Sequence, residues 1–185
     1  YSNIEIGSKK NSMVWSSHKT RGLQFFCERI FPKIKEKIKD FSLYVCSYIN
    51  DNQDEYLLQD GIEVLQNVPK NQLIDLQKKS KIWAYPNIIA EVGERPKETF
   101  CITAMENAAA LNALIIPNND SFSDIFKNYS GLINLNEINM ATFGFIEQSV
   151  KCLSNEDYRK KLAIEAKNKI NKYTWDTSAK SFLKE

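Results

Sequence analysis

Hydrophobic and polar positions alternate along this chain in blocks whose period changes. Six short apolar runs stand out: Ser12-Met-Val-Trp-Ser16, Phe41-Ser-Leu-Tyr-Val-Cys-Ser47, Ile62-Glu-Val-Leu65, Lys81-Ile-Trp-Ala-Tyr85, Ala113-Leu-Ile-Ile116 and Gly131-Leu-Ile-Asn-Leu135. They are rich in β-branched and aromatic residues and bounded by turn residues, which reads as short, largely buried strands. Between them the apolar period lengthens to that of a helix. Leu23, Phe26, Cys27 and Ile30 share one helical face, and Pro32 begins a further segment through Lys39, because proline is excluded from deep helical positions. Pro69 opens a helix at its favoured first position, carried to about Lys79 by Leu73 and Leu76. One helix is expected from about Thr99 to Leu111, and a short one from Ser121 to Tyr129 with Asp120 or Ser121 as its cap. Residues 1–10 are polar and mixed, with little to fix them, and Asp51 to Asp60 is a polar loop with room for a helical turn. From Glu137 onward the pattern is helical, at about 137–153, 155–171 and 174–184.

Strands that alternate with helices at this spacing predict βαβ units. The expected fold is α/β: a Rossmann-like, doubly wound, mainly parallel sheet of about six strands with helices on both faces. Residues 1–185 form one domain with C-terminal helices at about 137–184. Such sheets bind ligands beyond the carboxyl ends of their strands. The loops after Trp15, Gln66 and Tyr85 lie there.

Composition narrows the class. A net charge of +2 over 185 residues argues against a nucleic-acid partner held by bulk charge. No apolar run is long enough to span a bilayer and no signal peptide is visible. The chain begins at Tyr1 without a Met, and reads as an excised part of a longer protein. Its four cysteines, Cys27, Cys46, Cys101 and Cys152, are widely spaced and suit reduced core thiols in a cytosolic setting. With one histidine, His18, in a polar turn, the common zinc patterns are absent, and a Ser-His or Cys-His hydrolase would have to use His18 itself.

The candidate chemistry gathers after the fourth strand, in Tyr85-Pro86 and the run Glu98-Thr-Phe-Cys-Ile-Thr-Ala-Met-Glu106. Eight helical residues rise about 12 Å and turn about 80° past two full turns, so the two carboxylates would share a side of the helix yet stand far apart. Paired glycosidase carboxylates sit about 5–9.5 Å apart, so these two are too widely spaced to attack one bond. The spacing suits a long ligand with hydroxyls at both ends and negative charge between them, such as a nucleoside-diphosphate sugar. The plain alternative is an acidic residue favoured near a helix N-terminus plus one solvated glutamate.

The same run, with Asn107-Ala-Ala after it, resembles the donor-site signature of retaining GT-B glycosyltransferases of the family-4 type. Three further stretches are similar to that family in order: Ser16-Ser-His-Lys-Thr-Arg-Gly-Leu23 to its first loop, Asn67-Val-Pro-Lys-Asn-Gln-Leu73 to the turn flanking the base, and Tyr173-Thr-Trp175 to its C-terminal return helix. The resemblance covers nearly the whole chain. It implies one half of a GT-B fold, the donor-binding domain, with the N-terminal acceptor domain absent from this chain.

By that resemblance Glu106 binds the ribose hydroxyls and Glu98 contacts sugar hydroxyls near the reacting carbon. The backbone N–H groups at Thr99, Phe100, Cys101 and Ile102 hold sugar and phosphate oxygens. Arg21, with Lys19 beside it, serves the diphosphate, and Val68 lines the base pocket. The implied reaction moves a hexosyl unit from a nucleoside-diphosphate sugar to a hydroxyl of a glycan, glycolipid or glycoprotein in polysaccharide or related synthesis, with retention. It implies neither a cofactor nor a metal, and an isolated domain that does not transfer sugar alone. The implied location is the cytoplasm, with peripheral membrane contact through the missing half. The chain departs from the pattern at Ser16, where the family has Arg, at Leu111 and Ala113, where it has Gly and Pro, and in a longer, more charged loop holding Glu91, Glu94 and Arg95. The departures at Ser16 and Leu111 keep a rival open: a non-catalytic Rossmann-like module that binds a nucleotide or a partner. A response-regulator-like domain would need an acidic cluster after its first strand, where Ser16-Ser17 stands.

Overall fold

The computed structural model describes residues 9–47, 54–88 and 97–174, together with 177 and 180. Six parallel strands form two three-stranded groups: β1 (Ser12–Trp15), β2 (Ser42–Ser47) and β3 (Ile62–Gln66), then β4 (Ile82–Ala84), β5 (Ala113–Pro117) and β6 (Leu132–Ile133). The groups meet along β1 and β4, where Lys81 N–H donates to Ser12 O at 3.1 Å and Lys10 N–H to Lys79 O at 2.7 Å. The lateral order is therefore β3-β2-β1-β4-β5-β6, and the winding reverses between β1 and β4. This is the expected doubly wound α/β fold, and its crevice opens where the loops after β1 and β4 diverge.

Burial follows strand position. All of β1, β4 and β5 is buried, as strands covered on both faces must be, while β3 at one edge is only half-buried. Under the crevice Trp83 stacks on Tyr85 at 4.8 Å, with Trp15 at 5.5 Å from the Tyr85 ring and Phe122 edge-on at 6.1 Å. Full burial of each such ring is worth about 1.5–3 kcal/mol, and together they fix the end of β4.

Pro32 falls in the first turn of a new α segment, as expected, but the helix is not interrupted there. An α-turn, α1 (Leu23–Phe25), a π-helical stretch (Phe26–Ile30) and α2 (Phe31–Lys37) run on without interruption. Pro32 has no N–H to give. In the π register its partner would be the Cys27 carbonyl, and that oxygen accepts from Gln59 Nε2 at 2.9 Å instead. Pro69, expected as the first residue of its helix, stands just before α3 (Lys70–Lys79), as the N-cap. The helix α4 (Ile102–Ala109) starts three residues later than expected, and Glu98 lies outside it. The eight-residue helical separation of the two carboxylates therefore does not apply. Residues before α4 are held off the helix by bonds across to α5 (Asp120–Ile125).

The long C-terminal helices are α6 (Ile138–Ser154) and α7 (Glu156–Ile170). The helix expected at 174–184 and the loop charges Glu91, Glu94 and Arg95 fall outside the described residues, apart from 174, 177 and 180. At the chain's start, Lys9 and Lys10 are not loose. Lys9 is buried, and its ammonium is within 2.8 Å of Lys78 O, Ser80 O, Ala110 O and Asn112 Oδ1.

Candidate active site

The site is built on the crossing of two loops. After β1 the chain makes a 3₁₀ turn, Lys19–Arg21, and leaves it through Gly22 at φ 97°. A Cβ on Gly22 would stand 2.6 Å from Pro86 O, so only glycine lets this loop press against the one after β4. That contact delivers Arg21 to Glu98, with Arg21 Nη1 donating to Glu98 Oε1.

Glu98 is held on every side. Its Oε1 also accepts from the Tyr85 hydroxyl at 2.7 Å. Its backbone N–H donates to Asp120 Oδ2 at 3.1 Å, and its carbonyl accepts from Ser121 N–H at 3.1 Å. Its side chain is only 8% exposed. Burial, together with Glu98, raises the Tyr85 pKa far above its usual value, so the phenol stays a proton donor. Burial works against the charge on Arg21, but Tyr85 and Glu98 outweigh it and raise its pKa. The guanidinium thus stays ionised across the physiological range. Burial and the neighbouring Glu98 push the Cys101 thiol up to about 12, which makes it a packing group and not a nucleophile.

Beyond Glu98 lies the N-terminus of α4. Met105 N–H is bonded to Cys101 O, and by helix geometry the N–H groups ahead of it have no carbonyl within the helix. Phe100 and Ile102 are exposed there, as is Thr99, while Cys101 is buried. Phe100 makes an edge contact with Tyr173 at 5.9 Å. Further along α4, Glu106 is reached from α3. Lys70 Nζ donates to Glu106 Oε1, and Gln77 Nε2 donates to Oε2 at 3.4 Å. Half-buried Val68 sits in the turn just before Lys70, after Asn67 at φ 49°.

The structure brings Arg21, Glu98 and the first turn of α4 together, and sets Glu106 with Lys70 and Val68 further along. Lys19 is turned the other way. Its Nζ lies 3.2 Å from Asp54 Oδ2, which also accepts from the Tyr56 hydroxyl at 2.8 Å, and Tyr56 and Lys19 hold the Asp54 pKa below its usual value. Sequence reasoning missed four partners: Asp120, Lys70, Gln77 and the hydroxyl of Tyr85. Tyr85 carries a signal, since it ends a strand at the winding reversal. Asp120, twenty-two residues from Glu98, carries none. Among the described residues no three His, Cys, Asp or Glu side chains gather as a metal site, and no helix is long and apolar enough to cross a membrane.

Comparison with known proteins bears on the fold. The chain superposes on a glycosyltransferase from Rickettsia africae with a TM-score of 0.69 at 18% identity, covering 94% of this chain and 46% of that one. On WaaG, a glycosyltransferase involved in lipopolysaccharide biosynthesis, the TM-score is 0.68 at 14% identity, covering 97% and 47%. On sucrose-phosphate synthase from Thermosynechococcus elongatus it is 0.67 at 10% identity, covering 97% and 45%. At these identities the likeness shows the shared fold, one half of a GT-B architecture, and the chain spans slightly under half the length of each protein. No curated protein matches at the sequence level. The sequence profile described as glycosyl transferases group 1 matches residues 29–169, most of the chain, and the chain therefore belongs to the glycosyl transferases group 1 family.

Proposed function

We propose that this chain is the donor-binding domain of a retaining glycosyltransferase that takes a hexosyl unit from a nucleoside-diphosphate sugar. The observation that carries the reading is the meeting of Arg21 and Glu98 at the winding reversal, beside the open N-terminus of α4. A cation and a set of N–H donors suit a diphosphate, and a fixed carboxylate beside them suits sugar hydroxyls. Glu106 would take the ribose hydroxyls, with Lys70 giving way or moving onto the nucleotide, and Val68 would flank the base. Ser16 Oγ, Asn119 Oδ1 and Ser121 Oγ are buried without a hydrogen-bond partner among the described residues, polar atoms at the same edge that a hydroxyl-rich ligand or water would satisfy.

Charge grows on the diphosphate as the glycosidic bond breaks. Arg21 and the N–H groups of Phe100, Cys101 and Ile102 would stabilise it, with Lys19 joining by leaving Asp54. Such stabilisation needs no metal and no cofactor. The acceptor hydroxyl, on a glycan, glycolipid or glycoprotein in polysaccharide or related synthesis, would come from an N-terminal domain of the same protein facing this edge. The reaction would take place in the cytoplasm or at its membrane surface. The second reading, a non-catalytic nucleotide- or partner-binding module, is favoured by Ser16, where the family's Arg is missing.

The test is titration with UDP, GDP, ADP and TDP, followed by protein-observed NMR, on wild type and Glu106→Ala. One nucleotide should give saturable shifts that weaken at least tenfold in the variant, the loss expected for a charged hydrogen bond worth about 1.5–3 kcal/mol. Silence from the full-length protein with all four nucleotides would sink the donor-domain reading.

A further inference from the structure

We propose that Asp120 is a positioning residue for Glu98, the group that fixes where the donor sugar, as opposed to its nucleotide, is held. The inference rests on the donor-domain reading above and assigns a role within that site to a residue of the β5–α5 turn.

Three observations converge on it. First, Asp120 Oδ2 accepts the backbone N–H of Glu98 at 3.1 Å, and the next residue, Ser121, donates its N–H to the Glu98 carbonyl at 3.1 Å. Both backbone groups of Glu98 are thus tied to one turn, while Tyr85 and Arg21 hold its carboxylate from two other loops. Second, Asp120 adopts φ 46°, the left-handed region that a residue with a side chain enters at a cost and keeps only where surrounding contacts demand it. Third, the turn does not serve its own helix in the usual way. Asn119 at the N-cap makes no side-chain capping bond, and its Oδ1 and Ser121 Oγ are buried with no partner among the described residues. Asp120, the first residue of α5, instead turns its carboxylate onto the backbone of Glu98.

The consequence is selective. Glu106, Val68 and Lys70, which would bind the nucleoside, do not touch the β5–α5 turn in any described bond. Releasing the Glu98 backbone from Asp120 should loosen the carboxylate that meets the sugar while leaving the nucleoside end in place.

The experiment uses the full-length protein and matched pairs of UDP and UDP-glucose, GDP and GDP-mannose, ADP and ADP-glucose, and TDP and TDP-glucose. Calorimetry on the pair that wild type binds gives the affinity ratio of sugar nucleotide to nucleotide, and slow hydrolysis of the donor gives an acceptor-independent rate. In Asp120→Gly the backbone strain is relieved as the hydrogen bond is lost, so the melting temperature should stay within about 4 °C. Its affinity ratio and hydrolysis rate should each fall about tenfold, with affinity for the nucleotide alone changed by less than about twofold. Asp120→Asn keeps an oxygen acceptor and tolerates left-handed backbone, so it should retain most of both. An unchanged ratio in Asp120→Gly, an equal loss for nucleotide and sugar nucleotide, or failure of Asp120→Asn to rescue would each overturn the proposal. A wild type that binds none of the four pairs would instead bring down the donor-domain reading on which it rests.

Discussion

The two ends of the sheet use the same residue types for opposite purposes. At the amino ends of the strands, Lys9 is 9% exposed and surrounded by four oxygens that terminate α3 and α4, and the fully buried Arg159 binds Glu156 and Leu111 O. At the carboxyl ends, Arg21, Lys19 and Lys70 each meet one acid, Glu98, Asp54 or Glu106, with side chains 32%, 38% and 58% exposed. A cation enclosed by carbonyls cannot leave without abandoning buried acceptors. One paired to a carboxylate and itself partly in water can exchange that partner for another anion at small cost. The first arrangement locks two helices to the sheet; the second leaves charge available to a ligand. Both act on the same pair of helices, since α3 and α4 carry Lys70, Gln77 and Glu106 toward the crevice.

Removing the buried cation should give the largest effect. Lys9→Met strands four oxygens, three of them in buried bonds, and is expected to cost about 3–5 kcal/mol in urea or thermal unfolding. Nucleotide affinity well below the melting temperature should change by less than about twofold. The cost should also depend on pH. Burial and Arg159 pull the Lys9 pKa down to about 7, against the opposing pull of Glu156. Between about pH 7 and 10 the folded protein therefore binds fewer protons at this site than the unfolded chain, and stability rises with pH. The gap between wild type and Lys9→Met should widen across that interval, by at most about 1.4 kcal/mol per pH unit. A gap that is flat or narrows would show that the four oxygens keep the ammonium fully charged.

The carboxyl edge should respond the other way round. Arg21→Ala is expected to cost only about 1 kcal/mol of stability, because its guanidinium is partly solvated and Tyr85 still donates to Glu98. Its effect should appear in binding, as a ten- to hundredfold loss of affinity for the preferred nucleoside diphosphate, the range for a charged hydrogen bond. Calorimetry on Arg21→Ala beside Lys9→Met then compares the two ends directly. If Arg21→Ala destabilises the fold as much as Lys9→Met while binding persists, the contrast between the ends is wrong.

The sheet was legible in the sequence because apolar runs such as Ala113-Leu-Ile-Ile116 have one physical explanation, a strand covered on both faces. The placement of Glu98, Glu106 and Arg21 along the carboxyl edge was legible because their stretches form the loops and helix that follow strands, while their roles toward a donor belong to the proposal. What the sequence concealed was long-range. The late start of α4 follows from bonds between Glu98 and the turn at Asp120, and nothing within Glu98–Glu106 announces them. Lys9, in a stretch read as loosely held, is fixed by oxygens from residues some seventy and a hundred positions away. Pro32 begins an α segment as its usual rule predicts, but the helix runs through it without interruption, because Gln59 supplies the missing donor. In each case a side chain distant in sequence supplied or claimed a backbone hydrogen bond, which no local pattern encodes.

Leu111 gives the finest test of the division between the ends. By the resemblance noted in its sequence, a glycine would end this helix, and the structure shows why. Leu111 has φ 59°, its N–H donates to Ala108 O at 3.0 Å, and Asn112 N–H donates to Asn107 O at 3.0 Å. These are the two bonds of a Schellman motif, with Leu111 in the left-handed position that glycine favours. The leucine is tolerated because its side chain is 5% exposed, and that burial offsets the strain. Both Leu111→Ala and Leu111→Gly should therefore destabilise, Leu111→Ala by about 2–4 kcal/mol. Leu111→Gly should be the more stable of the two by about 1 kcal/mol, reversing the order found inside an ordinary helix. Urea denaturation of the pair reads the sign directly, and an alanine variant equal to or better than the glycine one would show that the backbone relaxes without strain. Because Leu111 lies at the amino edge, beside Arg159 and Lys9, neither variant should alter nucleotide affinity by more than about twofold. The departure from glycine is then a matter of stability alone, and of the two departures that keep the non-catalytic reading open only Ser16 bears on the donor.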